Sequence, residues 1–312
     1  MRAIQSTTWG TPPTFTPSAP DLPPPTSSQI RLKVLASGLH RLVRAQALGN
    51  HYSAKSAGLP YTPGQRRRRL DESTGKRYYF VSIATGGGFA EYVNVAKATL
   101  VELSEGADAV QVAGLVNPGM GGWMALTRRT KGVVGEGGKK GWTVVILGVT
   151  SQSGKVAVHF ARQLGAGRVI GVARGHMDGL GLDEQIVLDG KEPAKTEWSK
   201  MGDQVDVILD YLYGDAAIAC LNALESKVPT QFVQIGSMAG NDASWPAAVF
   251  RSKDITIRGS GPGAWAMQEF GAEAGGLVRA VEGLEKQALT VRKLEEVDQA
   301  WGNEKERTVF VP

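Results

Sequence analysis

The turn Gly148-Val149-Thr150-Ser151-Gln152-Ser153-Gly154 follows the apolar run TVVILG and leads straight into KVAVHFARQLG. A strand, a tight turn and a helix in that order leave backbone N–H groups at the mouth of the turn. The helix N-terminus adds positive potential there, so the unit can hold a diphosphate. Ser151 stands where a GxxGxxG variant of the dinucleotide turn has its central glycine, and serine has less freedom in φ. Its hydroxyl, with those of Thr150 and Ser153, offers donors to phosphate instead. Gly148, Thr150, Ser151, Gln152, Ser153 and Gly154 are therefore the candidate diphosphate-binding residues.

Downstream, RVIGVAR ends in Arg174. A carboxylate at the end of this strand would favour a free ribose 2′-hydroxyl, whereas a five-donor guanidinium suits a 2′-phosphate, so the expected dinucleotide is NADPH. Three later strand ends fall on the same side of the sheet that this pattern implies. They are Asp210-Tyr211-Leu212-Tyr213-Gly214, Gly236-Ser237-Met238 and Gly259-Ser260-Gly261, with Tyr211, Gly236, Ser237, Met238, Gly259 and Ser260 the candidate contacts. Met238 could cover a nicotinamide ring or pack against a helix. Asn117, in GLVNPGM, either orients a turn or approaches the nicotinamide.

The elements that must position these residues follow from periodicity. From Trp142 onward the apolar runs TVVILG, RVIGVA, EQIVL, VDVILDY, TQFVQIG and DITIRG alternate with helical segments, which predicts a doubly wound parallel α/β sheet. The first third differs: IRLKVLASGL alternates apolar and charged residues, and RYYFVSI and AEYVNV are further strands, so a mainly β domain is expected. Pro12 to Pro25 reads as an irregular connection, and Pro118 with its neighbouring glycines as an interruption between two helices. LTVRKLEEVDQAWG predicts a short strand and a helix, and RTVFVP a terminal strand that returns to the first domain.

With 312 residues, 42% hydrophobic and 21% charged, the composition is that of a soluble globular protein of two domains. The formal net charge is +5, and Arg66 to Arg69 alone supply +4 of it, so the basic balance is local. That run reads as a solvated loop first. An anion or cofactor-phosphate contact and nucleic-acid binding are the alternatives, the last being the weakest. The single cysteine, Cys220, excludes an intrachain disulfide and a thiolate zinc cluster, and its amphipathic surroundings predict a buried reduced thiol. No apolar run reaches the length of a membrane span, and a cytoplasmic location without integral membrane association is expected.

Taken in order, MRAIQ, IRLKVLASGLH, LPYTPG, GGGFAEYVNV, the phosphate turn, VDVILDYLYG and LEEVDQAWG followed by RTVFVP cover almost the whole chain. Together they resemble the medium-chain dehydrogenase/reductase superfamily, especially its zinc-free quinone oxidoreductase-like members. The resemblance implies a GroES-like β domain at 1–115, completed by 275–312, and a Rossmann domain at 116–274. It further implies hydride transfer from NADPH to a quinone or conjugated carbonyl compound, and a homodimer. A noncatalytic NADPH-binding redox sensor or partner-regulated protein would use the same scaffold.

Zinc does not fit. Where zinc-using relatives have a Cys-His pair, this chain has Leu39-His40, and Pro63-Gly64 is followed by Gln65 and four arginines, so no metal is expected. Hydride reduction needs no protein nucleophile, only alignment, exclusion of water and stabilisation of the developing oxyanion. His40 lies where related zinc-free proteins place a polar residue facing the substrate, and is the first candidate for a contact to substrate oxygen or for proton delivery. Tyr52 is the second, from the corresponding entrance region.

Overall fold

A computed structural model describes residues 1–51, 58–64, 66–70, 74–81, 87–135, 137–304 and 306–312, with backbone alone at 66–70 and 81. The chain forms two units, Met1–Asn117 with Ala274–Pro312, and Pro118–Glu273.

The first unit begins with an antiparallel pair, β1 (Ala3–Gln5) and β2 (Thr14–Thr16), so a short strand lies within the proline-rich segment expected to be irregular. Then follow β3 (Gln29–Gly38), α1 (Arg41–Ala47), β4 (Arg66–Leu70), β5 (Arg77–Val81), β6 (Tyr92–Ala96) and β7 (Leu100–Glu102). In β3 the alternation expected from sequence places Leu32, Val34 and Ala36 inside, with Arg31 and Lys33 in solvent. Leu32 packs with Phe80, Val93 and Val95 to form one core of this unit.

The arginine run is not a loop. Its backbone is β4, antiparallel to β3 on one side and to β5 on the other, with Arg67 opposite Ser37 and Phe80. Strand pairing uses only backbone N–H and C=O groups, so a run of like charge does not prevent it.

The expected helix pair around Pro118 is one helix, α2 (Ala109–Met124), continued by a π turn at Ala125–Arg129. Proline within a helix removes a single backbone donor, and the glycines that follow it here are packing positions rather than breakers. A Cβ on Gly119 would lie 2.9 Å from the Phe160 ring, and one on Gly122 2.6 Å from the Tyr211 hydroxyl. Trp123 is buried edge-on to Phe160, and its Nε1 donates to Glu273 at 2.8 Å.

The second unit comprises β8 (Trp142–Leu147), α3 (Gln152–Gln163), β9 (Ala166–Ala173), β10 (Glu184–Val187), β11 (Val207–Asp210), α4 (Gly214–Ala223), β12 (Thr230–Gln234), α5 (Ala247–Ser252) and β13 (Ile255–Gly259). Its six strands are all parallel, in the order β10-β9-β8-β11-β12-β13. All six residues of β8 are buried, as a strand covered on both faces requires. Chain direction across the sheet reverses between β8 and β11, the place where open α/β sheets bind ligands. Cys220, on α4, is buried, and burial pushes its thiol up.

After α6 (Met267–Glu282) come β14 (Thr290–Lys293), α7 (Val297–Gly302) and β15 (Thr308–Val311). β15 pairs with β3, Phe310 opposite Ser37, so the last strand completes the first unit's sheet. Phe310 meets Phe89 edge-on at 5.0 Å, in a core shared with Ile4, Leu39 and Val43. The return is clamped by Arg292, whose Nε and Nη2 donate to the two carboxylate oxygens of Glu306 at 2.7 and 2.9 Å.

That bond to Arg292, with a further one from Thr308, holds the Glu306 carboxyl down at about 2 against its ordinary 4.5. A depressed carboxyl stabilises the fold above its unfolded value and loses that contribution as pH falls towards the folded one. Glu306→Gln should therefore lower the thermal midpoint at neutral pH. The gap to the unsubstituted protein should close between pH 4.5 and about 2, as read by circular dichroism melts across that range.

Candidate functional site

The turn after β8 is tighter than its glycine count suggests. Gly148 has φ +84°, a conformation that favours glycine. A Cβ on Gly154 would stand 2.6 Å from the Gly148 carbonyl oxygen, so the first turn of α3 lies directly on the strand end. Ser151, between them, has φ −67° and needs no glycine. It caps α3, its Oγ accepting from the Gly154 N–H at 3.0 Å, and its own proton stays available to a ligand. The turn is tied to β9 by the N–H groups of Gly148 and Val149, which both donate to the Val172 carbonyl. Among the described residues, the N–H groups of Thr150, Gln152 and Ser153 donate to no protein acceptor. The buried Gln152 Nε2 also lacks a partner. Such a group of open donors at a helix N-terminus is an anion cradle.

The cradle opens into a hollow of about 530 Å³, a usual size for a small-molecule or cofactor site. Six of the sequence-predicted residues line it: Gly148, Thr150, Ser151, Arg174, Tyr211 and Met238. Gln152, Ser153 and Gly154 form the helix start beside them. Met238 is 58% exposed, so it is not a helix-packing residue.

Other expected residues lie elsewhere. Ser237 and Gly259 line a second hollow of about 460 Å³, with Tyr213, Trp245 and Arg258. Gly236 is a close-approach glycine, its missing Cβ 2.9 Å from the Tyr211 carbonyl oxygen. Ser260 is buried and its Oγ donates to the Gly121 carbonyl at 3.3 Å. Asn117 is half-buried within α2 and lines neither hollow. In the first unit His40 is buried, with its Nε2 3.2 Å from the Ala113 carbonyl. A carbonyl only accepts, so Nε2 carries the proton in that contact. Tyr52 lies outside the described residues.

No protein-family model matches the chain. The curated protein "Probable NADPH-dependent quinone reductase tdiC" of Emericella nidulans is 36% identical over 327 aligned positions, covering 89% of each chain. The chain belongs to the quinone oxidoreductase-like branch of the medium-chain dehydrogenase/reductase superfamily. Among solved structures, AibC is similar over 100% of this chain and 96% of its own, with a TM-score of 0.79 at 19% identity. The quinone oxidoreductase of Thermus thermophilus matches over 100% of both chains, with a TM-score of 0.75 at 22% identity. These two likenesses concern the fold: a mixed GroES-like sheet and a parallel Rossmann sheet, as in the two units here.

In this member of the family, among the described residues, no group of three or more His, Cys, Asp or Glu side chains could hold a metal ion. Nor is any helix among them long and apolar enough to cross a membrane. Two residues that the sequence did not single out belong to the first hollow. Gly190 and Lys191 line it from the loop after β10. They could have been found by the rule that selected the other strand ends, applied to EQIVLDGK. Asp210, wholly buried at the end of β11, accepts from the N–H groups of Leu212 and Tyr213 at 2.8 and 2.9 Å. It thereby fixes a turn in which Tyr213 takes φ +60°, rare for a side-chain-bearing residue. Leu212, held this way, packs against Gly148, whose missing Cβ would lie 3.0 Å from it.

Burial pushes the Asp210 carboxyl up to about 6, against the lowering effect of the two amides, and its Oδ2 has no partner. A raised folded value means that the native state holds the proton more tightly. Stability is then greatest below the unfolded value of 3.8 and falls as pH rises to about 6, by at most about 3 kcal/mol. Asp210→Asn keeps a carbonyl acceptor for both amides and removes the titration. Denaturant titrations should show the unsubstituted protein losing stability relative to this variant as pH rises through that window, and a parallel pair of curves would refute the assignment.

Proposed function

We propose that the first hollow binds NADPH and that the chain reduces a quinone or a conjugated carbonyl compound. The observation that carries this reading is the meeting of three unpartnered N–H groups and an exposed guanidinium, that of Arg174, around one hollow at the sheet's switch point. The relative at 36% identity is described as a probable NADPH-dependent quinone reductase, and the Thermus thermophilus enzyme was crystallised in complex with NADPH. The residues present fit the cofactor. The open N–H groups of Thr150, Gln152 and Ser153 suit a diphosphate, and the orphaned Gln152 Nε2 is a further donor.

Thr150, Ser151, Gln152 and Ser153 would hold the diphosphate, and Arg174 the 2′-phosphate. Tyr211 and the Gly236–Met238 segment would flank the remainder, with Met238 over the ring. When bound, NADPH supplies the hydride. The protein's part is orientation, exclusion of water and a donor for the oxygen on which charge develops, and no nucleophile is needed. The proposed donors to the substrate oxygen are Tyr52 and His40, the latter through Nδ1 as imidazolium because its Nε2 proton is engaged by the Ala113 carbonyl. Gly259, Ser260 and Asn117 are retained as proposed supports for the nicotinamide half. Arg66 to Arg69, paired by their backbone within a sheet, give no support to nucleic-acid binding.

We also propose a homodimer and a reducing, cytoplasmic setting, the latter suited to the single buried thiol. β13 is an edge strand of the parallel sheet and would offer an unpaired ladder to a second copy. Light scattering should return twice the mass of 33.2 kDa, and a monomer at micromolar concentration would exclude this assembly.

The activity is tested by the loss of NADPH absorbance on adding quinones or enones, which should proceed equally with a chelator present. Gly154→Ala places a methyl group against backbone, so it should weaken NADPH binding by at least about tenfold and cost roughly 1–3 kcal/mol of stability. Protein that binds NADPH but consumes none across a broad acceptor panel would instead point to a sensor.

A further inference from the structure

The first hollow holds two cations where the sequence pointed to one. Arg174 and Lys191 leave neighbouring strands, β9 and β10, in which Ala173 is opposite Val187 and the Leu188 N–H donates to the Ala173 carbonyl at 2.9 Å. Both residues are exposed and line the hollow, and neither charged group makes a hydrogen bond or ion pair with a described residue. The loop that carries Lys191 is built rather than loose. Asp189 Oδ1 accepts from the N–H groups of Lys191 and Glu192, both at 2.9 Å, and the Asp189 N–H donates to Thr196 Oγ1 at 3.0 Å.

Gly190 sits between these anchors. A Cβ there would lie 2.7 Å from Arg174 Cδ, so the bare glycine lets the arginine stem pass over the loop beside Lys191. The acidic residue of the hollow, Asp215, begins α4 beyond β11, which is three strand positions from β10. At about 4.8 Å per strand that separates the loop of Lys191 from β11 by roughly 14 Å. The hollow is therefore polarised, cationic over β9 and β10 and acidic beyond β11.

We propose that Lys191 is the second arm of a clamp, with Arg174 the first, that selects an adenosine bearing a 2′-phosphate, and that Gly190 sets the position of Arg174 within it. This rests on reading the hollow as the dinucleotide site. A phosphate monoester carries roughly −1.5 to −2 at neutral pH, so one guanidinium leaves negative charge uncompensated. The planar fork of Arg174 supplies direction, and the Lys191 ammonium supplies a second charge without demanding geometry.

The test is calorimetric titration of the full chain and of Lys191→Ala, Lys191→Arg and Gly190→Ala with NADPH, NADH, adenosine 2′-monophosphate and adenosine 5′-monophosphate. Lys191→Ala should raise the Kd for NADPH about tenfold and that for the 2′-monophosphate in parallel. NADH and the 5′-monophosphate should change less than about twofold, and Lys191→Arg should recover most of the loss. The affinity of the unsubstituted protein for NADPH should fall more steeply with salt than that of Lys191→Ala. Gly190→Ala should weaken NADPH selectively with no change in the thermal midpoint, and an unchanged Kd would remove Gly190 from the clamp. Equal weakening of both dinucleotides, or no weakening, in Lys191→Ala would overturn the role of Lys191 while an unsubstituted preference for NADPH leaves the site reading standing. If the unsubstituted protein binds neither dinucleotide, both fall together.

Discussion

The site depends on one backbone contact, the closeness of Gly154 to the Gly148 carbonyl. No side chain can enter there, so α3 starts directly above the end of β8, and its first N–H groups open towards the ligand side of the sheet instead of towards solvent at large. Ser151 occupies the space between the two glycines without strain, because its φ of −67° is ordinary and its hydroxyl closes the cap. From this contact the geometry spreads outward. Val172 anchors the turn to β9, and β9 ends one residue before Arg174. Leu212 supports Gly148 from the other side, under the control of Asp210.

Several features that weaken the fold collect at this end of the sheet. Asp210 is a buried carboxyl with one unpartnered oxygen, Tyr213 has a left-handed backbone, and the Tyr211 hydroxyl is buried against Gly122 without an acceptor. The opposite is true of the strands themselves, where β8 is wholly buried and Val145, Leu147, Ile170, Val172 and Ile208 share one apolar cluster. Strained and unsatisfied groups persist only where surrounding packing fixes them, and they gather where ligands bind. The apolar sheet is what allows the rim above it to be polar and imperfectly paired.

The parallel sheet was legible in the sequence because its inner strands, covered on both faces, are apolar, and six apolar runs alternate with helical segments. The phosphate turn was legible for a related reason, since only a few residue types tolerate the φ of Gly148. What could not be read had its cause in tertiary contact. The glycines after Pro118 look like breakers until Phe160 and Tyr211 are seen against them. The four arginines look like a loop because side-chain charge says nothing about backbone pairing with β3 and β5. Ser237 and Gly259 do stand at strand ends, yet they line a separate hollow with Tyr213 and Trp245, whose rings are in contact. Lys191 follows a strand end, which the sequence does show, but only the pairing of β9 with β10 puts its loop beside Arg174 round one hollow.

The strand pairing of β15 with β3 has a temporal consequence. Pro118–Glu273 is contiguous, so all of its strands have been synthesised before the residues of β14 and β15 exist. The sheet of the other unit must wait, with the β3 edge at Ser37 and Gly38 uncovered, until translation reaches Val309 and Phe310. The nucleotide-binding half of the molecule can thus be native while its companion is still a nascent intermediate, and that interval is when the companion is most exposed to chaperones and to misassembly.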